Sequence, residues 1–486
     1  MTAVPPSAGV YPHRITSDST GRSLRYVSFI CLCAALGGLL FGFDIAVISG
    51  TVPAIKRQFA LDPWLEGLFV ASALIGCVLG SAVAGPVSDR IGRKKGLLIA
   101  SILFIATGLG CALAQDRISL LAFRFIGGVG IGAASMVCPL YIAEVSPARV
   151  RGRMVTLFQL AIAIGICVSL VSNAFLEWLS HRGLLGVHNR FFYWMFVDQV
   201  WRAMFVTATL PAVLFAFTTL VIPESPRWLV MVGRERRARD VLERIEGKSA
   251  SEDSLRDIRA ALATQSGRFI DLFRSGWRRA LGLAVFLALV SQFSGITVVL
   301  YYGPDILNAA GVRLSEALGG YVIIGVVKTL FTGIALWLID RSGRRPLLLA
   351  GTIGCCIALV SIGALFAVNR MNSVLLVLLI GLFCAFFAFS LGPIKWVFMS
   401  EIFPTPLRGR AVAVVATTVW LADALINYLF PWAREHFGAA TCFFAFALLL
   451  VPQIFVVRFI MPETKGRTLE EIEQTYLPHY AGSVHE

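Results

Sequence analysis

Twelve stretches of about 20 mainly apolar residues constrain this chain more than any other feature, because a helix needs about that length to cross a bilayer. They run over roughly 27–50, 66–86, 97–115, 119–141, 154–177 and 202–222, then 279–302, 318–339, 347–368, 373–399, 411–432 and 437–461. In hydrocarbon each run must satisfy its own backbone N–H and C=O groups, and runs of this length do so as helices. The composition, 57% hydrophobic and 15% charged over 486 residues, lies on the same side of the soluble average. The chain therefore reads as an all-α membrane protein with twelve transmembrane helices.

A formal charge of +14 would suit a nucleic-acid binder, but its placement argues against that partner. The cations crowd into alternate loops: Arg90, Arg93, Lys94 and Lys95, then Arg149, Arg151 and Arg153, then Arg341, Arg344 and Arg345, then Arg408 and Arg410. The positive-inside rule puts those loops and both termini in the cytoplasm. Residues 1–26 are a polar tail without the apolar core of a signal peptide, and 462–486 form a second tail. The short tail without an organelle address points to a bacterial inner membrane. The ten cysteines sit in or beside apolar spans and read as free thiols. The six histidines have no metal-ligand spacing, and no GxxxxGK[ST] is present, so neither a metal, nor any other cofactor, nor nucleotide hydrolysis is expected.

The chain is duplicated. "YIAEVSPARVRGRMV" from Tyr141 returns as "FMSEIFPTPLRGRAV" from Phe398, and "SDRIGRKKGLL" from Ser88 as "IDRSGRRPLL" from Ile339. Two pseudo-symmetric six-helix bundles follow, 27–222 and 276–461. They are joined by a polar segment, 223–275, whose apolar faces (Val241, Leu242, Ile245; Leu255, Ile258, Leu262) read as short amphipathic cytoplasmic helices. Duplicated halves place a site on the axis between them and suit alternating access around it. "GGVGIG" at 127–132 lies mid-span after Arg124 with no strand before it, so close helix packing explains it better than a dinucleotide loop; Gly37, Gly38 and Gly42 read the same way.

Asp44 is a lone carboxylate in the first span, sharing a helical face with Phe41 and Ile48. An ionised acid at a span's centre costs about 2.5–3.5 kcal/mol, which a partner or a use must offset. Arg124 is the nearest counter-charge the first half offers. A fixed structural ion pair and a proton switch both fit. Mirrored acids and bases at the loop motifs, Asp89/Arg93 with Asp340/Arg344 and Glu144/Arg153 with Glu401/Arg410, read as salt bridges between helix ends that act as a conformational latch.

The motifs "GRKKG", "RGR", "PESPRWL", "QFSGITVVLYYGP", "SEIFP" and "PETKG", in register from about 28 to 470, resemble the sugar porter family of the major facilitator superfamily, closest to its bacterial proton-linked xylose and hexose symporters. The resemblance implies the major facilitator fold with a small cytoplasmic helical domain, and it adds Glu224, Arg227 and Glu463 to the latch. It also favours the proton switch at Asp44, since passive animal carriers have an amide there. Gln159, Gln292 and Tyr301 match sugar-site positions, while Ser291 and Thr297 replace a glutamine and an asparagine. Ser291, Ser294, Thr297 and Tyr301 recur every three or four residues, as a polar stripe would. "LGPIKW" is expected to break the tenth span at Gly392 and Pro393, with Trp396 as an aromatic plate for a sugar ring; Leu391 stands where a xylose carrier has a tryptophan.

Trp420, Asp423 and Asn427 share a face of the eleventh span. Lys328, in place of an asparagine, with Lys395 and Asp423 is unusual for the family. A Lys–Asp pair tying helices and an altered substrate, a polyol or sugar acid, both account for it. The expected activity is secondary active import of a monosaccharide (pentose or hexose) or related polyol with a proton, by a monomer in the lipid bilayer. A passive facilitator, a proton-linked carrier of a sugar acid and a non-transporting sensor are the rivals. No nucleophile, base and orienting group can be assembled, so an enzyme is not expected.

Overall fold

The computed structural model describes residues 17–147, 150–182, 189–263, 269–273, 277–309, 311–368, 372–403 and 405–465. The first half contains α1 (Ser17–Gln58), α2 (Pro63–Ile91), α3 (Arg93–Leu113), α4 (Arg117–Val145), α5 (Arg151–Arg182), α6 (Arg190–Tyr193) and α7 (Val200–Val221). Between the halves lie α8 (Pro226–Met231), α9 (Glu235–Glu246) and α10 (Lys248–Ala263). The second half has α11 (Trp277–Phe293), α12 (Ile296–Ala309), α13 (Leu314–Ser342), α14 (Arg344–Ala367), α15 (Ser373–Phe386), α16 (Gly392–Ile402) and α17 (Thr405–Phe459).

Eleven helical stretches among these residues are long and apolar enough to cross a membrane, so the protein is a multi-pass integral membrane protein. The last, Gly409–Phe459, is 51 residues, about 75 Å of helix and more than twice a bilayer. It breaks at Gly438 (φ 80°, ψ 159°), where a residue with a Cβ would be strained, and makes the eleventh and twelfth passes. Beyond the break the chain turns back onto α14, with Phe443 stacked on Phe366 at 5.7 Å and Gln453 donating to Thr352.

One helix start and two breaks differ from the sequence reading. α1 begins at Ser17, so part of the expected tail is helical; residues 1–16 and 466–486 lie outside the described residues. The seventh span is not one helix, because α11 stops at Phe293 and Gly295 (φ 77°) turns the chain before α12. The Ser291–Tyr301 stripe therefore straddles a break. Ser294 spends its hydroxyl on the Ser291 carbonyl rather than presenting it. In the tenth span the irregularity sits earlier than Gly392, as a π-helical turn over Phe387–Leu391.

Small residues set the closest packing. In the α2–α4 contact a Cβ on Gly128 would lie 1.9 Å from the Ala73 carbonyl oxygen, so the "GGVGIG" run is a backbone-to-backbone contact. The ten cysteines are all free thiols. In the linker, Leu242 and Leu255 bury against Trp228 and Leu229, giving α8, α9 and α10 a small core of their own. The halves meet where α2 lies on α17, α5 on α13 and α1 on α12.

Gly128→Leu is expected to cost about 1–3 kcal/mol of overpacking and to lower the melting temperature of the detergent-solubilised protein. Gly152→Ala, whose Cβ meets nothing, is the matched control.

Candidate functional site

Asp44 of α1 and Arg124 of α4 meet inside the first half. Arg124 Nη1 donates to Asp44 Oδ1 at 2.8 Å and to Oδ2 at 3.0 Å, and the two residues are 1% and 6% exposed. Arg124 Nε is buried without a hydrogen-bond partner, and the guanidinium lies 6.0 Å from the Phe69 ring centroid. In this dry setting the pair balances each member's desolvation by mutual attraction, and loss of one partner strands the other.

Phe41, one turn before Asp44, packs on Trp420 of α17 with ring centroids 5.4 Å apart, so the helix carrying the acid touches the second half directly. One turn beyond Trp420, Asp423 Oδ1 accepts from Thr297 Oγ1 at 2.6 Å. That hydroxyl in turn accepts from Asn427 Nδ2 at 2.9 Å, which commits its single proton to the carboxylate. Lys395 of α16 donates to Ser291 Oγ at 3.0 Å and to Gln292 Oε1 at 3.3 Å. Its ammonium is 5.9 Å from the ring centroids of both Phe387 and Trp396. The Lys–Asp pair that the sequence allowed is not formed with Lys395: Thr297 donates to the acid, and the lysine turns to neutral oxygens. Tyr301 is buried, close enough to feel the charges of both Asp423 and Asp44. Gln159, Lys328 and Trp396 are half-buried.

At the end of the bundle that carries the linker, each half has the same clamp. Arg93 donates to Asp89 (2.6 Å) and, through Nε and Nη2, to both oxygens of Glu144 (3.1 Å each), while Ser225 donates to Glu144 at 2.5 Å. Arg344 grips Glu401 at 2.7 and 3.2 Å, and Thr464 takes the place of Ser225 at 2.6 Å. Glu224 accepts from the backbone N–H of Arg93 and Lys94, and Glu463 from those of Arg344 and Arg345, each just past a glycine at positive φ, Gly92 or Gly343. Bidentate geometry of this kind is strong and directional.

The expected Glu144/Arg153 and Glu401/Arg410 pairs are corrected by these distances, since Arg93 and Arg344 take both acids. Arg153 is exposed, Arg410 keeps a buried Nη1 without a hydrogen bond, and neither Arg153, Arg227 nor Arg410 has an ion pair among the described residues. The side chain of Asp340 lies outside the described residues.

A profile of the family described as "Sugar (and other) transporter" matches residues 30–476. The chain belongs to that family. It is 37% identical over 456 residues to an arabinose-proton symporter of Bacillus subtilis, covering 94% of this chain and 96% of that one. To a D-xylose-proton symporter of Escherichia coli it is 35% identical over 495 residues, covering 95% and 98%. A partially occluded, inward-open structure of the E. coli xylose transporter superposes with a TM-score of 0.80 at 33% identity, over 91% of this chain and all of that one. The twelve-helix major facilitator fold is thereby established, and the family is one of transporters rather than enzymes.

Sequence reasoning missed a second charge cluster, at the end opposite the linker. Glu66 of α2 is fully buried, with Lys56 Nζ 2.6 Å from Oε2 and Arg434 Nη2 3.8 Å from Oε1; Arg434 also pairs with Asp305. Beside it Trp64 packs on Tyr428 and Trp432 at 5.6 and 5.5 Å. Lys56, Trp64 and Glu66 belong to the first half, the others to the second, so this cluster bridges the halves. At the linker end no ion pair crosses between halves among the described residues. The available signal was Glu66 itself, a carboxylate at the lip of an apolar span.

Burial pushes the Glu463 carboxyl up, but four backbone N–H groups outweigh it and hold the group below its ordinary value of 4.5. With a depressed folded-state pKa, its contribution is fully present above pH 4.5 and is lost as pH falls through the lower, folded value. Melting temperature measured from pH 6 to pH 3.5 is expected to show this acid limb in the wild type and a shallower one in Glu463→Gln.

Proposed function

We propose that this protein imports a monosaccharide, a pentose or hexose or a related polyol, together with a proton, by alternating access. We place it in a bacterial inner membrane as a monomer with both termini cytoplasmic, the side to which the crowded basic loops point. The observation that supports coupling is the Arg124–Asp44 pair. Arg124 keeps the acid ionised in a dry site, and a proton arriving from the outer side neutralises it, dissolves the pair and frees α1, whose Phe41 already rests on Trp420, to shift against the second half. The sugar is gripped by the neutral donors and acceptors of Gln159, Ser291, Gln292, Thr297 and Tyr301 and by the ring faces of Phe41, Trp396 and Trp420, the chemistry that polyhydroxylated rings need.

The conformation supports the same cycle. The outer end is sealed across the halves by Glu66, Arg434 and the Trp64 stack, and the inner-end clamps found among the described residues each lie within one half. In the opposite state the seal breaks, and the inner charges, Arg153, Arg227 and Arg410 among them, take partners across the closed gap as the latch.

One pH unit stores about 1.4 kcal/mol per proton, enough for about tenfold accumulation at one proton per sugar. In proteoliposomes the wild type should reach that ratio. Asp44→Asn should lose it while retaining counterflow of the same sugar; uphill uptake in the variant would refute the coupling role.

A further inference from the structure

We infer that the monosaccharide carries a carboxylate: the site is built for a sugar acid, a uronate or aldonate, with Lys328 and Lys395 receiving the charged end. The inference rests on the import reading above and narrows its substrate class. Charge balance is the first argument. The first half is neutral at its centre, one guanidinium against one carboxylate. The second half has two ammonium groups and only Asp423, leaving one positive charge uncompensated in surroundings where an unpaired charge is expensive.

Geometry is the second. Neither lysine forms an ion pair with Asp423 or with any other carboxylate among the described residues. Lys395 is held by two neutral oxygens, those of Ser291 and Gln292, a cradle that fixes the ammonium without discharging it. Lys328 shares its helix face with Tyr321, Ile324 and Ala335, all fully buried, whereas Ile323 and Leu330 beside it are exposed. It thus points into the bundle, on a helix that packs against α16, the helix carrying Lys395.

Two like charges held apart by neutral groups lack an anion. Nearby amides and hydroxyls and the Trp396 ring suit a sugar body, so the missing anion belongs to the same molecule. A monoanion entering with one proton moves no net charge, whereas a neutral sugar with a proton moves one.

Wild-type proteoliposomes should be tested by counterflow with D-glucuronate, D-galacturonate and D-gluconate against D-glucose, D-xylose and glucuronate methyl ester. The expected result is a free acid competing about tenfold or more better than its ester or parent sugar, with uptake insensitive to an imposed membrane potential. Lys328→Asn should invert that preference, and competition in the wild type decides the matter even if the variant fails to fold. Counterflow of neutral sugars with no competition from the acids overturns this inference and leaves the import reading standing. Preference for a sugar phosphate over every carboxylate also overturns it. No counterflow of any monosaccharide, acid or neutral, overturns both.

Discussion

A guanidinium and a carboxylate facing each other where water is scarce govern the rest of this molecule. Neither Asp44 nor Arg124 would be tolerable alone inside the bundle, so α1 and α4 must hold their register to within an ångström or so for both oxygens to meet Nη1. The small residues between α2 and α4 let those two helices pack backbone to backbone. The Phe41–Trp420 contact then passes the position of α1 to the second half, within a turn of Asp423. Between the two carboxylates lie one ring–ring contact and a helix turn on either side of it.

The two halves share a scaffold but not a chemistry. Their clamps at the linker end match group for group: arginine, glutamate, a hydroxyl and a capping carboxylate. Their centres diverge, one closed as an arginine–aspartate pair and the other holding two lysines and one aspartate. Duplication explains the likeness, while the divergence lies where a solute would be recognised and where identical surfaces would serve no purpose. The cluster at the end opposite the linker is asymmetric too, with a buried acid on one side and a cation-bearing helix on the other.

Much of this was legible in the residues. Apolar runs of bilayer length and the repeated loop motifs gave the twelve passes and the duplication, because hydrocarbon leaves the backbone few choices. The partner of Asp44 was also legible, since Arg124 was the one strong cation in the interior, rather than at the end, of an apolar run of the first half. Pairing at the loops was not: Glu144 and Arg153 are neighbours in sequence, but the chain turns between α4 and α5, and Arg93 approaches from another helix. The break at Gly295 hid inside a stripe whose spacing imitated an unbroken helix. Glu66 was read as the edge of a span when its role depends on Arg434, 368 positions away and invisible to any local pattern.

The matching clamps also speak to ancestry. Glu224 fastens the strand leaving the sixth pass to the first half just as Glu463 fastens the strand leaving the twelfth to the second. In each half, then, the repeated unit extends past its last membrane crossing, and the carboxylate just beyond that crossing ties the chain back to the start of another helix of the same half.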